Sequence, residues 1–158
     1  MKLFLIPLLL FSVSASASPL PELKPERHAV KLPRDLRESF LENMRDHLSA
    51  VSEIQAALAE KNFDKAAEIA KNRLGLDAPS SAACRPGMEM ADLAKFMPEN
   101  MRAIGFKMHS AADQFAVDAK NAGTDSDYRA VIDSLSKVTR QCVSCHAQYR
   151  LANRQGKT

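Results

Sequence analysis

From Arg34 onward the apolar positions fall into runs with the period of a helix. Phe40, Met44, His47, Val51, Ile54 and Leu58 recur at alternating spacings of four and three, which predicts one buried stripe on a long first helix ending near Glu60. Lys61 and Asn62 then turn the chain. A shorter second helix is expected from Phe63 to Leu74, with Ala66, Ala67, Ile69, Ala70 and Leu74 as apolar positions and Gly75 as its C-cap. Pro98 opens a third helix that runs to about Asn121, striped by Met101, Ile104, Met108, Ala111, Phe115 and Ala119, with Gly123 beyond it. Thr124 and Asp125 cap a fourth, with Tyr128, Ile132, Leu135, Val138, Cys142, His146 and Tyr149 in its stripe and its end near Ala152. No run alternates with period two. The pattern predicts an all-α domain over residues 34–152, an antiparallel up-down-up-down four-helix bundle.

The segments outside these runs have compositions of their own. Residues 18–33 carry Pro19, Pro21, Pro25 and Pro33 and read as an extended N-terminal arm. The connection holding Pro79, Ser80, Ser81, Pro86 and Gly87 is long enough to require structure, and Met88 to Phe96 is expected to form a short helical piece. Residues 153–158 read as a flexible tail. At the start, Lys2, the apolar run Leu3 to Val13 and the small-residue site Ala15-Ser16-Ala17 match a cleaved signal peptide over residues 1–17. That run is too short to span a bilayer, so the reading is export to the periplasm without stable membrane insertion.

Charge narrows the partners. Of the 158 residues, cleavage would remove only one charged side chain, Lys2, taking the formal net charge from +3 to +2. So small an excess gives no argument for nucleic acid or an anionic membrane. Of three cysteines, two fall in one motif, which leaves Cys84 alone and allows no disulfide framework.

That motif is Cys142-Val143-Ser144-Cys145-His146, the attachment signature of c-type haem. On a helix Cys142 and Cys145 share a face, so both thiols can reach the vinyl groups along one haem edge. His146, four residues after Cys142, is carried on the same face and can ligate the iron as the proximal imidazole. A thioredoxin-like pair would open a helix after a strand, and a structural zinc site would want a fourth ligand. Neither context is present in the sequence. The implied cofactor is one covalent haem c with its iron, bound in a compartment that export would reach.

A sixth ligand must come from upstream, since no Met or His follows His146. Candidates are Met44 and His47 on the first helix, Met101, Met108 and His109 on the third, and the loop residues Met88, Met90 and Met97. A fourth helix of about 40 Å would put His146 roughly 9 Å from its end, a height comparable with Met44 in an antiparallel bundle. His47 reads as a packed or pocket-polar residue, with His/His coordination open. His109, beside its stripe, reads as partly exposed or as a contact to a haem propionate. Met101 and Met108 read as core or pocket residues, as does Phe40. Cys84 could be buried and inert, or could join two chains.

The chain resembles the class II cytochromes c, the family of cytochrome c-prime and its low-spin relatives. The resemblance covers about Arg34 to Arg150 and rests on the haem motif followed by Ala147-Gln148-Tyr149-Arg150, the four-helix pattern, and the Asn62-Phe63-Asp64 turn before an alanine-rich helix. It implies a distal position on the first helix, apolar in gas-binding members and methionine in low-spin ones. Counted back from the turn, that position falls on Met44, with His47 close to one turn away. The resemblance also implies that Arg150 lies beside the proximal ligand, and that the protein is a monomer or a homodimer joined through the first two helices.

Histidine and methionine together fill both axial positions, which suits one-electron transfer between redox partner proteins. No paired acid and base beside a nucleophile and no phosphate loop argue for an enzyme. Two other readings stay open: a five-coordinate haem protein that binds nitric oxide or another diatomic gas, and a peroxidase with His47 as distal base.

Overall fold

The computed structural model describes residues 26–87, 91–122 and 128–152. The export signal, the start of the arm, Met88, Met90, Gly123, Thr124, Asp125 and the tail lie outside the described residues. The rest is mostly helical. Helix α1 spans Arg34–Ala59, with Asp35 in the first turn where the helix dipole favours an acid. It closes with a Schellman motif: Asn62 N–H reaches the Ala57 carbonyl (2.8 Å), Lys61 N–H reaches that of Leu58 (3.0 Å), and Lys61 takes the left-handed φ of 58°. Asn62 then caps α2, Phe63–Ile69, its Oδ1 accepting from Lys65 N–H at 3.1 Å.

The helix expected to reach Leu74 does so with a change of winding. Residues Ala70–Leu74 form a π turn, and Gly75 leaves it in an extended conformation instead of capping it with a left-handed φ. Glycine is needed there for space: a Cβ would stand 2.3 Å from Asp113 Oδ1 and 2.5 Å from the Lys71 carbonyl oxygen. Asp113 uses its other oxygen to accept from Leu76 N–H at 3.1 Å. The connection that follows holds two 3₁₀ helices, Pro79–Cys84 and Ala94–Phe96. The described part of the piece expected over residues 88–96 thus amounts to one 3₁₀ turn.

Helix α3 is Glu99–Ala122 and α4 is Tyr128–Gln148. The two run in opposite directions. Asn100 Nδ2, near the start of α3, donates to Gln148 Oε1 and Tyr149 Oη at the far end of α4, both at 3.3 Å, while Ser134 Oγ donates to Asp118 Oδ2 at 2.6 Å. The end of α1 meets the start of α4, where Tyr128 Oη donates to the Leu58 carbonyl at 3.1 Å. Among the described residues no helix is long and apolar enough to cross a membrane.

Two findings correct the sequence pattern. First, α4 stops at Gln148, short of Ala152, because Tyr149–Leu151 becomes a strand, β2, paired in parallel with β1, His28–Val30. Part of the arm is therefore folded onto the opposite end of the chain, with Val30 buried. Second, the inward face of α4 is turned from the expected stripe. Val131, Ser134, Leu135, Val138 and Ala147 are buried, whereas Ile132 is 50% exposed, Tyr128 sits at the surface and His146 is exposed. Close packing on α3 selects that face, with the Ser134–Asp118 bond inside it.

The core has two parts. The larger joins Ile54 and Leu58 of α1, Phe63 of α2, Leu74, Met108 and Phe115 of α3, and Val131, Leu135 and Val138 of α4. Fully burying side chains of this size contributes about 1.5–3 kcal/mol each. The smaller gathers Val30, Ala83, Met97, Met101, Ile104 and Tyr149.

Candidate functional site

The motif occupies the last two turns of α4. Cys142 and Cys145 are free, half-buried thiols that point toward different parts of the core: Cys142 packs against the larger cluster and Cys145 against the smaller. Cys142 S–H donates to the Val138 carbonyl one turn back, at 3.7 Å. Burial pushes both thiols up, Cys145 to about 11 with help from neighbouring Cys84 and Cys142. Among the described residues the strand touching α4 follows the motif, and the pair lies in the last two turns of the helix, not at its start as in a thioredoxin-like entry.

His146 is carried one residue further and its side chain is exposed. Its carbonyl accepts from Arg27 Nη1 at 3.3 Å. With α4 ending at Gln148, His146 lies two residues, about 3 Å of rise, from the helix end, closer than the 9 Å expected. The height argument for Met44 loosens accordingly, in favour of positions nearer the start of α1.

On α1, Phe40 packs against the smaller cluster with Cys145, whereas Met44 is half-buried and belongs to neither cluster. Met44 is thus not a core filler. His47 is buried, and its Nε2 lies 3.0 Å from Ser80 Oγ. Desolvation, then the nearby His109, push its pKa down to about 4, so the ring is neutral at pH 7. Met101 joins the smaller cluster and Met108 the larger, so α3 supplies a methionine to each cysteine's surroundings.

Two residues are placed otherwise than expected. His109 is only 1% exposed, and Nδ1–H donates to the Leu74 carbonyl at 2.7 Å. It satisfies a helix-end acceptor in the core, which rules out the partly exposed role. Arg150 is not one helical turn beyond His146: it is exposed in β2, opposite Ala29.

Three arginines escaped the sequence reading. Among the described residues, the Nε atoms of Arg37, Arg85 and Arg102 are buried without a hydrogen-bond partner. Arg85 follows Cys84, Arg102 acts electrostatically on Cys84, and Arg37 lies one turn before Phe40 on α1. An unpartnered buried donor of this kind costs about 1–3 kcal/mol. The available signal was Arg37 standing in register with the apolar stripe.

No protein-family model, curated protein or solved structure matches this chain.

Proposed function

We propose that the chain is an exported mono-haem c-type cytochrome that carries single electrons, its helices forming an antiparallel four-helix bundle of the class II cytochrome c kind. The supporting observation is the trio on α4: two free, half-buried thiols three residues apart, with His146 adjoining. The surrounding residues fit a haem c. Cys142 and Cys145 would hold it covalently, His146 would ligate its iron, Phe40 and Met101 would cover apolar surface, and the half-buried Arg37, Arg85 and Arg102, each with an unpartnered Nε, would meet its carboxylates. Haem supplies a one-electron iron couple when bound.

The chain's own task is to hold and shield that couple. Met44, half-buried and outside both clusters, would hold the iron as sixth ligand, and so held the iron would take no substrate.

A second reading has an observation of its own. Phe40, one turn from Met44, shares a cluster with Cys145, and an apolar distal face of this sort suits five-coordinate iron that binds nitric oxide or another diatomic gas. One preparation decides among these readings: the chain made in a host that matures c-type cytochromes, weighed under denaturing, reducing conditions and examined optically. The carrier reading expects the mass of one haem and low-spin bands in both oxidation states. A high-spin spectrum with avid carbon monoxide uptake would replace it with the gas binder, and bare polypeptide would end both.

A further inference from the structure

The pairing of β1 with β2 builds a surface that the haem reading leaves unused. A groove of about 480 Å³ lies beside the ladder, lined by His28, Phe96, Pro98 and Tyr149 and by the exposed Lys31. His28 and Tyr149 stand ring to ring, their centroids 5.9 Å apart, so one wall is aromatic. Phe96, at the end of the 3₁₀ helix Ala94–Phe96, is 43% exposed. With Pro98 in the same groove it forms an open apolar patch, which a scattered surface side chain would not.

The same ladder gathers cations. Arg27 donates to the His146 carbonyl, Arg150 stands opposite Ala29, Lys31 follows the buried Val30, and Arg34 opens α1. All four are exposed, and among the described residues Lys31, Arg34 and Arg150 join no ion pair. The acids of this stretch are Glu26 and Asp35, the second placed where the helix dipole favours it, while Asp92 near Phe96 is taken by Lys95 at 3.1 Å. Four cations against Glu26 and Asp35 leave the ladder positive, a concentration that the overall charge of +3 does not suggest.

We propose that this face docks an acidic patch of a partner protein, with an apolar side chain of that protein seated in the groove against Phe96 and its carboxylates on Lys31, Arg34 and Arg150. An apolar centre within a charged rim is how protein interfaces are built, and complementary charge speeds encounter and fixes orientation. A recess with an aromatic wall favours an inserted side chain over a layer of lipid headgroups. The position gives the face its use. Arg27 bonds the His146 carbonyl and Tyr149 begins where α4 ends, so a protein held here lies against the turn that carries the haem motif. That use rests on the electron-carrier reading; the binding itself does not.

The test takes the full chain from a maturation-competent host and, as probe, a fluorescein-labelled peptide of glutamates interrupted by two phenylalanines. Fluorescence anisotropy should show binding that weakens as salt rises, and weaker binding of a peptide of glutamates alone. Lys31→Glu with Arg150→Glu should weaken binding about a hundredfold and Phe96→Ser about tenfold. Lys65→Glu with Lys120→Glu, exposed at the start of α2 and the end of α3, should change it by less than about twofold. Arg34→Glu, outside the ladder, should weaken binding without lowering the thermal midpoint, which separates lost charge from lost fold. Equal losses from the two reversed pairs, or phenylalanines that add nothing, would overturn the face. So would phosphatidylglycerol vesicles that bind the chain through Lys31 and Arg150 while the peptide does not. In the haem-loaded protein, saturating peptide should slow oxidation of the reduced iron by ferricyanide several-fold, and an unchanged rate would overturn the role in electron transfer. If the chain takes up no haem, the electron-carrier reading fails, while the peptide titration still decides the face.

Discussion

His47 of α1 and His109 of α3 meet edge to face inside the protein, their ring centroids 5.6 Å apart and their planes at 81°. Each ring has one nitrogen engaged, with Ser80 Oγ and the Leu74 carbonyl respectively, and both are held neutral mainly by desolvation. Two helices and the loop between them are thereby fastened through uncharged imidazoles. Acid is what this junction resists least.

Stability should therefore fall with pH. The unfolded chain protonates His47 near its ordinary 6.5 and the folded chain only near 4, so between these values unfolding takes up a proton. The loss should begin below pH 6.5, level off below about 4, and amount to on the order of 3 kcal/mol, with His109 adding in the same direction. Thermal midpoints across that range check this. In His47→Gln the slope should flatten, and an unchanged slope would remove His47 as its source.

Met44→Ala should separate ligation from packing. The side chain is half-buried and outside both clusters, so the stability cost should stay below the 2–5 kcal/mol typical of a buried methionine. The optical spectrum of the haem-loaded protein should change from low-spin to high-spin and ligand-accepting. A large stability loss with an unaltered spectrum would mean that Met44 packs and nothing more.

If the proposed haem reading holds, His146→Ala should lose the proximal iron bond while thioethers at Cys142 and Cys145 are kept. Because the side chain is exposed, the fold should survive the change. Mass and spectrum of the same sample read the two effects. Native axial coordination in this variant would defeat the assignment.

Lys61→Gly should stabilise the protein by about 0.5–1 kcal/mol. Lysine there holds a φ of 58°, a conformation that costs an L-residue roughly 1–2 kcal/mol and glycine little, the gain being trimmed by the freer unfolded chain. Denaturant midpoints measure it. A decrease would show that the lysine side chain contributes at the turn.

The helices were legible because each has to bury a face. Ile54 and Leu58, or Met101, Ile104, Met108, Phe115 and Ala119, are spaced as that demands, and all are buried. Spacing could not reveal the face of α4, since Val131 and Ile132 are equally apolar and only contact with α3 chooses between them. Nor could it reveal the role of His109, whose polarity suggested the surface until the Leu74 carbonyl supplied a partner. The strands escaped because three residues are too few to display alternation. Around the motif, the spacing put Cys142 and Cys145 on one helix with His146 adjoining, and α4 carries all three. The buried Nε atoms of Arg37, Arg85 and Arg102 were not legible, because burial of such an atom depends on what folds over it.

The pairing of His28–Val30 with Tyr149–Leu151 also sets an order of events. It joins parts of the chain as far apart as Arg27 and His146, 119 residues in sequence, through only three residues on each side. Closing so long a loop is entropically costly and so short a ladder returns little, which makes it the last seam to form and the first to part. Hydrogen exchange at this seam should thus run ahead of the central helices, and the final turn of α4, with His146 in it, loosens whenever the seam opens.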